Sequence, residues 1–292
     1  MKTLFSQITD IPKNYLENKL KDFLKEDMHH LDLSTKYIPK EDKSFYAHLI
    51  AEEDLIFVGQ PIIKELFKKA DITFFYQDGQ ECRKGATICS MNGEFRELLS
   101  KERVLLNLIQ RLSGVASLTN QYVKHVNKRN IKILDTRKTT PGIRLFEKYA
   151  VKMGGGHNHR LNLNEGIMIK DNHLVTINST NEILKTIKKK HPEKKIEIEV
   201  DHFDQIVKLR KETNTNVDAI LLDNMNEKEI EKCAQYIRKQ FKNCFIEASG
   251  GINLKNINRY KDLDVDGISI GALTHQAVSK NIKLEFEKNE TN

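Results

Sequence analysis

The sequence predicts a mixed α/β fold in two parts, an N-terminal α/β region followed by a β/α barrel. From residue 131 onward, short apolar runs recur with helical stretches between most of them. Nearly every run ends in a polar residue or glycine, and before residue 100 helical patterns mix with short β-rich runs. Strands alternating with helices imply a parallel sheet.

Residues 14–25 read as a helix, because Tyr15, Leu16, Leu20, Phe23 and Leu24 recur near the helical period. Residues 45–50, 55–58 and 71–76 read as strands, with turns at Gly79 and Gly85. A long helix follows from Ser100 to about 128, with Val104, Leu105, Leu108, Ile109 and Leu112 on one side and Ser100 as its expected N-cap. The barrel strands are expected at 131–134, 167–169, 196–200, 219–222, 244–248 and 267–270, and the main helices at 181–190, 203–212 and 227–240. Arg137 and Lys138 follow the first strand, Lys170 the second, and Glu199 and Asp223 end the third and fourth. Ser249-Gly250-Gly251 follows the fifth and Gly271 ends the sixth. A barrel brings all such ends to one face, whereas a doubly wound sheet gathers only a few at its switch point.

A chain of 292 residues has room for one large domain or two smaller ones with ample core. Its 30% charged and 39% hydrophobic content is ordinary for a soluble protein. No apolar run is long enough to span a bilayer, and the first residues lack the apolar segment of a secretory signal, so the cytoplasm is the expected compartment. Cys82, Cys89, Cys233 and Cys244 show no CxxC pairing and read as reduced structural thiols. The net charge of +7 raises the possibility of nucleic acid, but the densest lysines, from Lys185 to Lys195, read as a solvated helix end. No nucleic-acid motif accompanies them.

Candidate chemistry concentrates in one glycine-bounded cationic stretch: Asp135 to Gly142, Gly154 to Arg160 and Ile169 to His173. Arg137, Lys138, Arg160 and Lys170 fall in turn-rich segments at strand ends. An arginine fork grips a carboxylate or phosphate through two hydrogen bonds, and a lysine supplies a compact charge. Surface ion pairs with Asp135, Glu165 and Asp171 are the plain alternative, and four cations at strand ends together favour a ligand site. Glu199 and Asp223 each interrupt an apolar run, where a carboxylate is costly unless paired or bound. In a cationic site they suit sugar hydroxyls or hydrated magnesium. Glu197 shares the face of Glu199 and fits an ion-pair partner, and Asp201 stays open. Ser249-Gly250-Gly251, expected to precede a short helix, and Ser269-Ile270-Gly271 resemble a barrel phosphate cradle. His157, His159 and His173 lack the companions of a zinc site and read as donors to an anion.

The runs Leu112 to Ser117, Asp135 to Arg144, Gly154 to Arg160, Ile169 to His173 and Ala248 to Ile252, in this order, resemble the quinolinate phosphoribosyltransferase family. That resemblance extends from about Leu24 to His275. It implies the type II phosphoribosyltransferase architecture: an N-terminal α/β sandwich-like domain over 1–114, an irregular, open α/β barrel over 115–275, and a C-terminal segment, 276–292, packing back on the first domain. The implied reaction joins quinolinate to phosphoribosyl pyrophosphate, giving nicotinate mononucleotide, carbon dioxide and pyrophosphate. By resemblance Arg137, His159, Arg160 and Lys170 hold the two carboxylates of quinolinate. Lys138 lies near the phosphoribosyl donor, and Thr136 joins the substrate-binding set. Glu199 and Asp223 bind ribose hydroxyls and Mg2+, and Ser249, Gly250, Gly251, Ser269, Ile270 and Gly271 cradle the 5′-phosphate. Lys138, Lys170, Glu199 and Asp223 are the expected catalytic groups. Arg103, which composition alone would assign to a helix-surface pair with Glu102, is implied to reach the site of a neighbouring subunit in a homo-oligomer. The segment Glu26 to Asp32, the stretch Leu161 to Glu165 and the loop between Glu199 and Asp223 depart from the family pattern. A paralogue using another base, such as the molybdenum-associated homologue, and a non-catalytic phosphate-ligand binding protein are the rival readings.

Overall fold

The computed structural model describes residues 3–28, 32–37, 44–127, 130–170, 179–213 and 215–287. The predicted positions Asp171, Asn172 and His173, and His29 to Leu31 of the departing segment, lie outside them. Two compact units are present. One comprises Met1–Gln7, Gln121–Arg144 and Gly156–Gln276, and the other Ile8–Asn120, Leu145–Gly155 and Ala277–Asn292. The division therefore falls six residues beyond the 114/115 boundary, within a helix, and returns residues 145–155 to the unit that holds the N-terminal strands.

That unit is built on helix α1 (Lys13–Asp27), the short α2 (Leu33–Lys36) and α3 (Gln60–Leu66), with strands β1 (Ser44–Ala51), β2 (Leu55–Ile56), β3 (Asp71–Phe74), β4 (Glu81–Cys82) and β5 (Thr87–Glu94). Strand β12 (Ile282–Phe286) pairs antiparallel with β1, giving the four-stranded order β12-β1-β5-β3. Helix α4 (Phe95–Val126) begins five residues before the predicted Ser100. Its first turn is capped by Glu94, whose carboxylate accepts from the N–H groups of Arg96 and Glu97 at 3.2 and 2.7 Å. Ser100 lies inside the helix and donates to the Glu97 carbonyl. Arg111 grips the buried Glu147 carboxylate at 2.8 Å and donates to the Ala277 carbonyl, tying α4 to the C-terminal segment and to α5 (Arg144–Met153).

The barrel unit contains β6 (Lys132–Leu134), β7 (Gly166–Ile169), β8 (Lys195–Val200), β9 (Ala219–Asp223), β10 (Phe245–Ser249) and β11 (Gly267–Ser269). All are parallel, in the order β6-β11-β10-β9-β8-β7. Most of their residues are buried, which explains their reading as near-continuous apolar runs. Helices α6 (Thr180–Lys190), α7 (Phe203–Glu212) and α8 (Glu227–Gln240) connect them, and α9 (Ala272–His275) follows β11. Ser179 caps α6, and Asn226 with Glu229 forms a capping box on α8. The sheet is open between β6 and β7. There His157 bridges Leu134 in parallel fashion, donating to the Ile133 carbonyl at 2.8 Å and accepting from Asp135 N–H at 3.0 Å. The segment 157–160 thus lies along β6 at the opening.

No helix of the described residues is long and apolar enough to cross a membrane. The cysteines are buried and unpaired by disulfides. Burial pushes Cys82, Cys89 and Cys244 up to about 12 and Cys233 to about 11, so all four stay thiols near neutral pH.

Candidate active site

The carboxyl ends of the barrel strands surround a cavity of about 280 Å³. Thr136, Arg137 and Lys138 enter it after β6, His159 and Arg160 from the bridging segment, and Lys170 after β7. Glu199, Asp223, Ser249 and Ser269 complete the wall from β8, β9, β10 and β11. A second cavity of about 190 Å³ shares Thr136, Lys138, Ser249 and Ser269 and is bounded by Gly250, Gly251, Ile270 and Gly271. Every residue predicted to bind substrate, except Arg103, lines one cavity or both, whereas His157, also read as a donor to an anion, lines neither. Arg103 is exposed on α4 and lines neither. Asp201, left open by the sequence, also stands outside both.

Strand pleating sets these positions. Glu197 and Glu199 share one face of β8, as do Leu221 and Asp223 on β9 and Glu247 and Ser249 on β10. Lys170 donates to both oxygens of Glu199, at 2.9 and 2.6 Å, so the dicarboxylate cation and the ribose carboxylate predicted separately form one ion pair. Arg160 is buried and donates to the Gly166 carbonyl at 3.0 Å. Burial and the neighbouring Arg137 pull its pKa down, while Glu197 and Glu199 oppose that shift. Arg144 donates to Thr139 Oγ1 and to the Arg137 and Leu161 carbonyls, bracing the loop that carries Arg137.

Asp223 accepts from Asn224 Nδ2 at 2.8 Å, and Asn224 N–H donates to the Ser249 carbonyl. Asn224 has φ of 54°, a left-handed conformation that asparagine tolerates better than most residues. Gly250 sits against it: at φ +96°, a Cβ there would meet Asn224 Oδ1 at 2.2 Å. Only glycine keeps this loop beside the carboxylate. The helix expected directly after Gly251 is instead a single 3₁₀ turn, Ile257–Arg259. Asn253 and Asn256 fold the intervening residues into side-chain-capped turns, so no α-helix begins directly after this loop.

His159 lines the first cavity and is also held within the protein. Arg160 N–H donates to its Nδ1 at 2.8 Å, so Nε2 carries the ring proton, which faces Glu197 Oε2 at 3.0 Å. Both ring nitrogens have partners within the protein, Arg160 N–H on one side and Glu197 on the other. His159, Glu197 and Glu247 are the one set of clustered metal-ligand types among the described residues. With its proton on Nε2, the imidazole offers no lone pair there to a metal. Glu247 is fully buried at the cavity floor. Burial, then the charge of Glu197, pushes it up to about 8, so it holds its proton at neutral pH.

Glu247 was missed in the sequence, although it interrupts the apolar run Ile246-Glu247-Ala248 just as Asp223 interrupts its own. His275 and Gln276, which line the second cavity, carried no pattern that would have marked them.

Two joined cavities at a parallel-barrel mouth, one walled by arginine and lysine and the other by serine and glycine, define an enzyme site for a two-part anionic ligand. Comparison with known proteins agrees: the models for the N-terminal and C-terminal domains of quinolinate phosphoribosyl transferase match residues 32–113 and 115–285. The chain belongs to the quinolinate phosphoribosyl transferase family. It is 40% identical over 279 residues to a probable nicotinate-nucleotide pyrophosphorylase (carboxylating) of Bacillus subtilis, covering 93% of this chain and 94% of that one. A Methanocaldococcus jannaschii protein with the same description is 36% identical, covering 94% and 98%. The solved structure of the nicotinate-nucleotide pyrophosphorylase from Francisella tularensis superposes with a TM-score of 0.89 at 32% identity, covering 97% of this chain and 99% of that one.

Proposed function

We propose that the protein transfers the phosphoribosyl group of phosphoribosyl pyrophosphate to the ring nitrogen of quinolinate, releasing pyrophosphate and carbon dioxide and leaving nicotinate mononucleotide for NAD biosynthesis. The observation that carries this reading is the convergence of Arg137, Arg160 and Lys170 in one cavity that opens beside the Ser249–Gly251 and Ser269–Gly271 loops. A dianionic base suits the cationic wall, and a phosphate suits the exposed backbone of the loops.

Arg137, Arg160 and Lys170 orient quinolinate so that its nitrogen faces the ribose C1. As pyrophosphate departs, positive charge develops on the sugar, and Asp223 and Glu199 lie where a carboxylate can stabilise it. Lys138, exposed between the two cavities, neutralises the leaving group. Attack makes the ring nitrogen quaternary; the bond from the ring to the adjacent carboxylate then breaks and carbon dioxide leaves. The electron pair stays on the ring carbon beside the cationic nitrogen, and a proton from solvent takes the place of the lost group. No covalent enzyme intermediate is required.

Glu199 and Asp223 fit a hydrated Mg2+, which takes one or two carboxylates together with phosphate oxygens. Because Lys170 already pairs with Glu199, Asp223 would be the carboxylate more available to hold the ion. When bound, the ion supplies charge neutralisation for the pyrophosphate group. A homo-oligomer in which Arg103 reaches the neighbouring subunit's cavity, and a cytoplasmic location, belong to the same reading. The exposure of Arg103 and its absence from the residues that line its own chain's cavities support the first. The deciding assay is nicotinate mononucleotide formation from quinolinate, with nicotinate as the control base. Equal use of nicotinate would favour a paralogous activity.

A further inference from the structure

The amino-terminal segment contacts the barrel opening at the stretch that carries His159 and Arg160. The Phe5 ring packs on the His159 imidazole, with centroids 4.7 Å apart and planes at 40°. Gln7 clamps the next backbone unit from both sides: its Nε2 donates to the Asn158 carbonyl at 3.0 Å, and its Oε1 accepts from Asn158 N–H at 2.9 Å. Ser6 N–H donates to Glu165 Oε1 at 2.9 Å, while the other oxygen of Glu165 accepts from Leu161 N–H at 2.5 Å. Gly166 makes room for the same ring, because a Cβ at that position would lie 2.4 Å from Phe5 Cε1.

These contacts meet a local need. Among the described residues no strand lies between β6 and β7, and the stretch 157–160 lies along β6 there, joined to it by the bridge at His157. Beyond that bridge, its backbone pairs with side chains: Asn158 with Gln7, His159 with Asp135 and Leu161 with Glu165. A neighbouring strand would normally fix such a backbone by ladder hydrogen bonds.

We propose that Phe5–Gln7 is a strap that positions His159 and Arg160, and through them the dicarboxylate half of the binding site. Phe5, Ser6 and Gln7 are positioning residues, and they line neither cavity. The inference rests on the quinolinate reading only for the identity of the ligand; the mechanical claim stands on the contacts.

The test uses the full chain carrying Phe5→Leu, Phe5→Ala, Gln7→Ala or Gly166→Ala. The last displaces the ring from the opposite side of the contact. Each variant is expected to raise KM for quinolinate about three- to tenfold while KM for phosphoribosyl pyrophosphate stays within about twofold, since an aromatic contact, or a hydrogen bond such as those of Gln7, is worth about that factor. Amide hydrogen exchange at Asn158, His159 and Leu161 is expected to quicken by a similar factor, while exchange in β9 and β10 is unchanged. Equal shifts in both KM values, or unaltered exchange at these amides, would overturn the strap. If Phe5→Ala does not fold, Phe5→Leu and Gln7→Ala decide. If the wild-type protein makes no nicotinate mononucleotide from quinolinate, the functional reading fails while the exchange measurement still judges the strap.

Discussion

Replacing Arg160 with alanine removes a buried guanidinium whose position is fixed by the Gly166 carbonyl on one side and by the His159 ring at its own backbone on the other. Two charge-assisted hydrogen bonds to a carboxylate of quinolinate would be lost. At about 1.5–2 kcal/mol each, this is about 3–4 kcal/mol, or about 150- to 1,000-fold in Kd. The Gly166 carbonyl also loses its partner, which costs the fold about 1–2 kcal/mol. Arg160→Lys keeps the charge but not the planar fork and recovers only part of the affinity. Titration calorimetry with each substrate separately reads the effect. Quinolinate binding should weaken by the stated factor, and phosphoribosyl pyrophosphate binding by less than about threefold, because Arg160 lines the first cavity and not the second. Comparable losses for both substrates, in a variant that unfolds cooperatively, would refute the division of the site into two halves.

Gly250→Ala forces a side chain into a left-handed position against Asn224, and it should lower the urea-unfolding free energy by about 1–3 kcal/mol and raise KM for phosphoribosyl pyrophosphate more than for quinolinate. The raised pKa of Glu247 makes a signed prediction for stability. Its contribution is fully present below the ordinary carboxyl value of 4.5 and is lost as pH rises through about 8. Glu247→Gln, which stays neutral, should therefore lose less stability than the wild type between pH 5 and 8.5, as followed by thermal unfolding; parallel curves would contradict the protonated state. Subunits carrying Arg103→Ala, mixed with subunits disabled by Lys170→Ala, should recover activity through hybrid sites, and no recovery after demonstrated exchange would count against a shared site.

The barrel was legible because its strands are buried on both faces, so that charged residues such as Glu199 and Asp223 interrupt otherwise apolar runs. The same signal is present at Glu247, but it lies one pleat below the strand end, where position alone does not mark it as part of the barrel mouth. Pairings across the fold were not legible. Nothing in the spacing of Lys170 and Glu199 says that the two charges meet, and nothing in Phe5 says that it reaches His159. Helix starts were read less well than helix bodies, because both Glu94 and Ser100 carry an oxygen able to cap, and only tertiary placement shows that Glu94 does so. The 3₁₀ turn after Gly251 likewise depends on how Asn253 and Asn256 fold back on their own backbone.

The central claim, a decarboxylating phosphoribosyl transfer at the barrel mouth, is tested most directly by product stoichiometry from quinolinate labelled in the carboxyl next to the ring nitrogen. Labelled carbon dioxide, pyrophosphate and nicotinate mononucleotide should appear in equal amounts, only with phosphoribosyl pyrophosphate present, and should vanish together in Arg160→Ala. Pyrophosphate release without carbon dioxide, or turnover of nicotinate in place of quinolinate, would contradict it.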